Sequence, residues 1–119
     1  MRVLVVDDNG DIVATTIALL RRAGHDAKGC DNGTDVYDCV REYDPDVVLL
    51  DINLPGQNGF EVVRQIRTNI GGKRPVIIGI TASPENVLGK PRGFDYRLIK
   101  PVEANTLMAL IATARSFAS

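Results

Sequence analysis

Four short apolar runs in this chain each end in a side chain able to handle a cation or a phosphoryl group. Asp7 and Asp8 follow Val3–Val6, Asp51 follows Val47–Leu50, Thr81 follows Val76–Ile80, and Lys100 follows Arg97–Ile99. If these ends converge, three carboxylates, a hydroxyl and an amine meet at one place. Two carboxylates about 5 Å apart repel by roughly 3 kcal/mol at an effective dielectric near 20. All three mutual pairs would then cost on the order of 10 kcal/mol if fully ionised. One lysine cannot cancel three negative charges, so either a carboxyl keeps its proton or a divalent cation sits among them. Oxygen-only donors at a partly open site favour Mg²⁺, with water completing its octahedron. A carboxylate beside such an ion can act as a nucleophile toward phosphorus and form an aspartyl phosphate. Lys100 and the Thr81 hydroxyl would take other phosphoryl oxygens, the protein acting mainly by positioning and neutralising.

Convergence requires a particular arrangement of elements. The first, third and fourth runs are apolar without alternation, which suits strands covered on both faces. Asp26–Cys30 is a weaker second strand and Arg97–Ile99 a fifth. Between them lie helical stripes. Val13, Ile17 and Leu20 share a face that ends near Gly24, and Val36, Cys39, Val40 and Tyr43 keep the same period up to Pro45. Val62, Val63, Ile66 and Ile70 form the third stripe, stopped by Gly71-Gly72. Only Pro84 to about Leu88 reads as a fourth helix, because Gly89 and Pro91 prevent it from continuing, while Leu107, Leu110, Ile111 and Ala114 mark the last. Strand–helix alternation repeated in this way predicts an α/β fold, a doubly wound parallel sheet with helices on both faces and right-handed crossovers. In such sheets ligands bind beyond the carboxyl ends of the strands, where the four chemical signals fall.

Composition removes several classes of function. A chain of 119 residues suits a single domain over 1–119, burying roughly 65% of its unfolded surface without a staple. Fourteen basic against fifteen acidic residues give a net charge of -1, which argues against nucleic-acid binding and against an acidic disordered tail. No apolar run approaches the ~20 residues of a membrane span, and no leader-like segment precedes the first strand. Cys30 and Cys39 fit no zinc spacing. With no secretion signal the expected setting is cytoplasmic and reducing, and the two cysteines are expected as small packing residues rather than a disulfide.

Taken together, Val5-Val6-Asp7-Asp8, Asp46-Val47-Val48-Leu49-Leu50-Asp51, Leu54-Pro55-Gly56 with Gly59, Thr81-Ala82 and Leu98-Ile99-Lys100-Pro101 resemble the receiver domain of bacterial two-component response regulators. The likeness spans the whole chain, in order. It implies the CheY-like, flavodoxin-like sheet of five strands in the order 2-1-3-4-5, with five helices of which the fourth is short. It implies Asp51 as phosphoacceptor. It also implies Mg²⁺ held directly by Asp8 and Asp51, through the main-chain carbonyl of Asn53, and through water by Asp7. Thr81, Ala82 and Lys100 would surround the phosphoryl group, and the Asn53 side chain would influence its hydrolysis. The donor would be a phosphohistidine on a histidine kinase or histidine phosphotransfer protein. The chain itself would be a signalling phosphoacceptor rather than an enzyme acting on external substrates.

The sequence departs from the family at one switch position. Many receivers carry an aromatic residue three places before the lysine; here it is Arg97. Tyr96 is adjacent, but alternation along a strand turns it to the other face. A polar residue there is similar to receivers fused to hybrid sensor kinases, which points to a relay role. The short stretch from Thr81 to Lys100 leads us to expect a monomer rather than a dimer through that side of the fold.

Plainer readings exist for each residue. Asp7-Asp8 could cap the first helix, Asp51 could be the polar end of a buried strand, Thr81 a cap and Lys100 a solvated cation. Their coincidence at strand ends weighs against four separate accidents. Gly59 is expected to ease a turn, and His25 to be a surface turn residue. A Mg²⁺-dependent phosphatase using Asp51 is the alternative function. It would need an acid two residues later, where Asn53 stands. A flavin or nucleotide binder would need a Gly- or hydroxyl-rich loop after the first strand, where Asp7-Asp8 would repel phosphate unless metal were present. A receiver that only binds partners would not need the full acidic, hydroxyl and lysine set.

Overall fold

Five strands form one parallel sheet in the order β2-β1-β3-β4-β5: β1 Arg2–Val6, β2 Asp26–Gly29, β3 Val47–Asp51, β4 Val76–Thr81 and β5 Tyr96–Ile99. Among the described residues four helices accompany it: α1 Gly10–Arg22, α2 Val36–Tyr43, α3 Gly59–Asn69 and α4 Ala104–Ala118. The structure, a computed structural model, describes residues 1–30, 36–52, 59–69, 74–82 and 93–118. The short helix expected from Pro84 to Leu88, the Leu54-Pro55-Gly56 turn and Asn53 lie outside the described residues.

Alternation along the strands sorts the core into two layers. Leu4 and Val6 of β1, Val48 and Leu50 of β3 and Ile77 of β4 pack with Val36, Val40 and Tyr43 of α2 and Val62, Val63 and Ile66 of α3. Val3 and Val5, Val47 and Leu49, and Val76 and Ile78 face the other way. They meet Leu20 of α1 and Leu107, Ile111 and Ala114 of α4. Both faces of the central strands are therefore covered, which explains why those runs are continuously apolar in the sequence.

Local chemistry sets the helix ends. The Asn9 side chain accepts from the backbone N–H groups of Asp11 and Ile12 and so caps α1. Asp7 and Asp8 are thereby not the cap, and the plainer reading of that pair fails. At the far end Gly24 takes φ 93°, a left-handed conformation that ends the helix and turns the chain into β2. Asp44 at φ 52°, followed by Pro45, ends α2. His25 is half-buried rather than at the surface, its Nδ1 3.4 Å from the amino-terminal nitrogen.

Two further contacts tie the layers together. The Arg67 guanidinium, in the last turn of α3, donates to the carbonyls of Pro75 (2.6 Å) and Gly93 (2.7 and 3.0 Å) and to the Asp95 carboxylate (2.7 Å). Asp95 in turn accepts from the N–H of Ile77 in β4. Cys30, at the end of β2, and Cys39, on α2, are joined by a disulfide with Cα atoms 6.1 Å apart. This corrects the expectation of two packing thiols. Both cysteines do pack in the α2 layer, and that packing brings the Cα atoms within disulfide range, which a nine-residue spacing alone does not reveal.

Candidate functional site

Register carries the chemistry to one edge. In the parallel ladder Val6 is opposite Leu50, so Asp7 and Asp51 emerge side by side at the carboxyl ends of β1 and β3. Asp51 is opposite Ile80, which places Thr81 one step further along β4, and Thr81 is opposite Ile99, which precedes Lys100. Backbone bonds close the edge: Ile52 N–H donates to Ile80 (2.9 Å) and Lys100 N–H to Thr81 (2.8 Å). The Lys100–Pro101 peptide is cis.

The side chains then meet. One carboxylate oxygen from each of Asp7, Asp8 and Asp51 lies within 4.8 Å of the others. The Lys100 ammonium bridges two of them, 3.1 Å from Asp7 Oδ2 and 3.2 Å from Asp51 Oδ2. Asp7 and Asp51 each expose 6% of their side-chain surface and Lys100 27%, while Asp8 is open to solvent. Burial alone would lower the Lys100 pKa. Hydrogen bonds and attraction from Asp7 and Asp51 together outweigh it and hold the ammonium above its ordinary value. It is therefore a fixed positive charge at neutral pH. The Asp7 carboxylate also accepts from the Asn9 N–H (2.9 Å), which ties its direction to the α1 cap.

Three carboxylates and one ammonium leave a net negative cluster of oxygen donors, two nearly buried and one exposed. That donor set fits a small hard cation that keeps part of its water shell, as Mg²⁺ does. Thr81 is completely buried at the strand end and Ala82, next to it, is exposed. Arg97 lies within β5, opposite Gly79 and half-buried. Tyr96 packs in the α1–α4 layer, so alternation places it on the opposite face from Arg97, as expected.

Two features of the site go beyond the sequence reading. Lys100, expected to meet a phosphoryl group, clasps the two acids directly. Its place after a strand indicates its position but not its partners. Gly59, expected to ease a turn, instead permits a close approach. A Cβ there would stand 2.8 Å from both the Cα and the carbonyl oxygen of Ile52, the residue after Asp51, and Gly59 N–H donates to that oxygen (3.2 Å). Beside the cluster, a groove of 620 Å³ runs between α1 and α4, lined by Val5, Ile12, Thr16, Leu107 and Pro101 and reaching Asp7 and Lys100. Ile12 at its edge is 41% exposed.

Comparison with known proteins places this geometry. The family model of the response regulator receiver domain matches residues 3–112. The chain is 39% identical over 113 residues to Protein PilH of Pseudomonas aeruginosa, covering 92% of this chain and 93% of that protein. It is 36% identical over 110 residues to the DNA-binding response regulator MtrA of Mycobacterium tuberculosis, covering 92% of this chain but only 48% of MtrA. The chain thus spans about half the length of that relative. Among solved structures, a CheY-like response regulator receiver domain from Methylobacillus flagellatus superimposes with a TM-score of 0.86 at 28% identity, covering 96% of this chain and 98% of the other. The receiver domain of the sensor histidine kinase PA1611 from Pseudomonas aeruginosa, with a magnesium ion coordinated in its active site cleft, superimposes with a TM-score of 0.78 at 27% identity, covering 94% of each chain. The phosphatase alternative gains nothing from these likenesses. The sheet order, the acidic strand ends and a match over nearly the full length lead to one assignment: the chain belongs to the response regulator receiver domain family of two-component signalling.

Proposed function

We propose that Asp51 is the phosphoacceptor, taking a phosphoryl group from a phosphohistidine on a histidine kinase or histidine phosphotransfer protein. The observation that carries this reading is the clustering of the Asp7, Asp8 and Asp51 carboxylates within 4.8 Å under the Lys100 ammonium. An Asp51 carboxylate oxygen attacks phosphorus, the P–N bond of the donor breaks, and the imidazole leaves with the electron pair. Lys100 is already 3.2 Å from Asp51 Oδ2, so it needs only a small displacement to reach a phosphoryl oxygen. The buried Thr81 hydroxyl and the Ala82 backbone complete the surroundings. Asp8 and Asp51 would hold Mg²⁺ directly, Asp7 through water and Asn53 through its main-chain carbonyl. The ion, when bound, supplies neutralisation of phosphoryl charge and orientation for in-line transfer. The added phosphate charge of about -1.5 to -2 shifts the protein between two conformers that both exist beforehand.

The same reading makes the chain a single cytoplasmic domain over 1–119, acting on no external substrate and binding neither nucleic acid nor membrane. Among the described residues no helix is long and apolar enough to cross a membrane. The apolar groove and exposed Ile12 beside Lys100 support a protein as the donor. Intact-mass measurement after incubation with a small phosphodonor and Mg²⁺ tests the assignment. The parent should gain one phosphoryl group and Asp51→Asn none. Equal labelling of both would refute it.

A further inference from the structure

The Cys30–Cys39 bond takes no part in phosphoryl chemistry, yet it is placed where it can affect it. Cys30 continues the ladder one step beyond Gly29, which is opposite Val5, and its N–H donates to the Val5 carbonyl at 3.0 Å. It is therefore beside Val6, the residue before Asp7. Cys39 is on the buried side of α2, between Val36 and Val40, and these valines pack with Leu4 and Val6 of β1. The cross-link thus binds α2 to the end of β2, which is itself hydrogen-bonded through Cys30 N–H to the strand that ends in the acidic pair. Cys30 is buried and Cys39 only partly so, which makes Cys39 the more accessible end of the bond.

We propose that Cys30 and Cys39 form a redox modification site, a thiol-exchangeable pair through which a dithiol, either a small molecule or a protein, releases α2 from the end of β2 beside β1 and weakens the acidic pocket. A thiolate of the dithiol attacks the Cys39 sulfur and the S–S bond breaks. Cys30 leaves as a thiolate and takes a proton. The second thiol of the reagent then attacks the mixed disulfide and frees Cys39 as a thiol. The pair gains two electrons and two protons, and the dithiol becomes a disulfide. An oxidised dithiol reverses the reaction. Reduction removes the covalent tie but leaves the apolar contacts of Val36 and Val40, so α2 loosens rather than unfolds.

Exchange at the cysteine pair is independent of Asp51 as phosphoacceptor but touches the same proposed metal site, so the test has separate arms. Intact protein purified without reductant is treated with a thiol-alkylating reagent before and after exposure to a dithiol. Two alkyl groups are expected only after reduction. Hydrogen exchange of the oxidised and reduced forms is then compared, and amides of Val36–Tyr43 should exchange faster when reduced. Calorimetric titration with Mg²⁺ should show affinity lowered by at least about fivefold on reduction, the low end of ordinary coupling between two sites. Cys39→Ser should resemble the reduced parent and ignore the dithiol. Alkylation of both cysteines without reductant, or equal exchange in the two forms, overturns the pair as a redox site whatever the metal does. Faster exchange without a change in Mg²⁺ affinity overturns its link to the acidic pocket.

Discussion

At the scale of single residues, the site is organised around one cation shared by two nearly buried acids. Lys100 holds Asp7 and Asp51 in place at 3.1 and 3.2 Å, and in doing so offsets part of their mutual repulsion. Lys100→Met should therefore destabilise the metal-free protein by about 2 kcal/mol, since a group that compensates buried carboxylates is lost while they remain. Saturating Mg²⁺ should restore most of that loss, because a second cation then serves the same oxygens. Urea denaturation with and without the ion checks both halves, and a variant that Mg²⁺ does not rescue would count against a metal site among these acids. Much at this scale is legible in the sequence: Asp7, Asp8, Asp51 and Lys100 stand at one sheet edge because each comes after an apolar run. The lysine's choice of partners is not legible there, because it depends on which strands are neighbours and by how many residues they are offset.

At the scale of elements, two local features decide how firmly the site is framed. Gly59 starts α3 with its Cα against the backbone of Ile52. The atoms a Cβ would strike are main-chain atoms that cannot rotate away, so Gly59→Ala should cost about 1–3 kcal/mol, the usual range for forced overpacking. Thermal melting of the variant measures this. The sequence marks Gly59 as special but for the wrong reason, because a close approach of α3 to the end of β3 is invisible in the order of residues alone. At the other end of the sheet, the Tyr43 hydroxyl on α2 is buried with no hydrogen-bond partner among the described residues, while Arg2 stacks over its ring. Burial, reinforced by the Asp26 carboxylate, raises its pKa above 10.0. A phenol that holds its proton more tightly when folded gives its full stabilisation below that ordinary value and loses it as pH rises through the higher folded one. Tyr43→Phe should accordingly leave stability unchanged or raise it by up to about 1 kcal/mol at neutral pH. It should also reduce the loss of stability seen above pH 10.0 in urea melts. The helical period predicts a buried Tyr43, but periodicity says nothing about what its oxygen would meet. The cysteine pair shows the same limit: spacing places Cys39 on the inner face of α2 and leaves the end of β2 beside it unseen.

At the scale of the whole molecule, strand order turns a one-dimensional pattern into a site. Because β1 and β3 are adjacent at the centre, with β4 and β5 beyond them, residues as distant as Asp7 and Lys100 share one edge. Fold class is legible because continuous apolar strands alternating with amphipathic helices admit few solutions. The strand order comes from likeness to a family rather than from the pattern itself, since parallel crossovers of one hand still allow several orders. The two-layer core accounts for the rest: each central strand is buried on both faces, so the chemistry is confined to strand ends. We expect the chain to remain monomeric when a phosphate mimic and Mg²⁺ are added, as judged by analytical ultracentrifugation; a stable dimer that forms only with the mimic would contradict this.

The Arg67 tether has a bearing on how such a molecule can change over generations. Its guanidinium holds Gly93 and Asp95, and Asp95 is itself fixed to Ile77, so the start of β5 is moored to α3 and β4. The position of Lys100, five residues downstream of Asp95, is therefore set locally. Changes in the sequence before Gly93 should therefore leave the ammonium on its two acids.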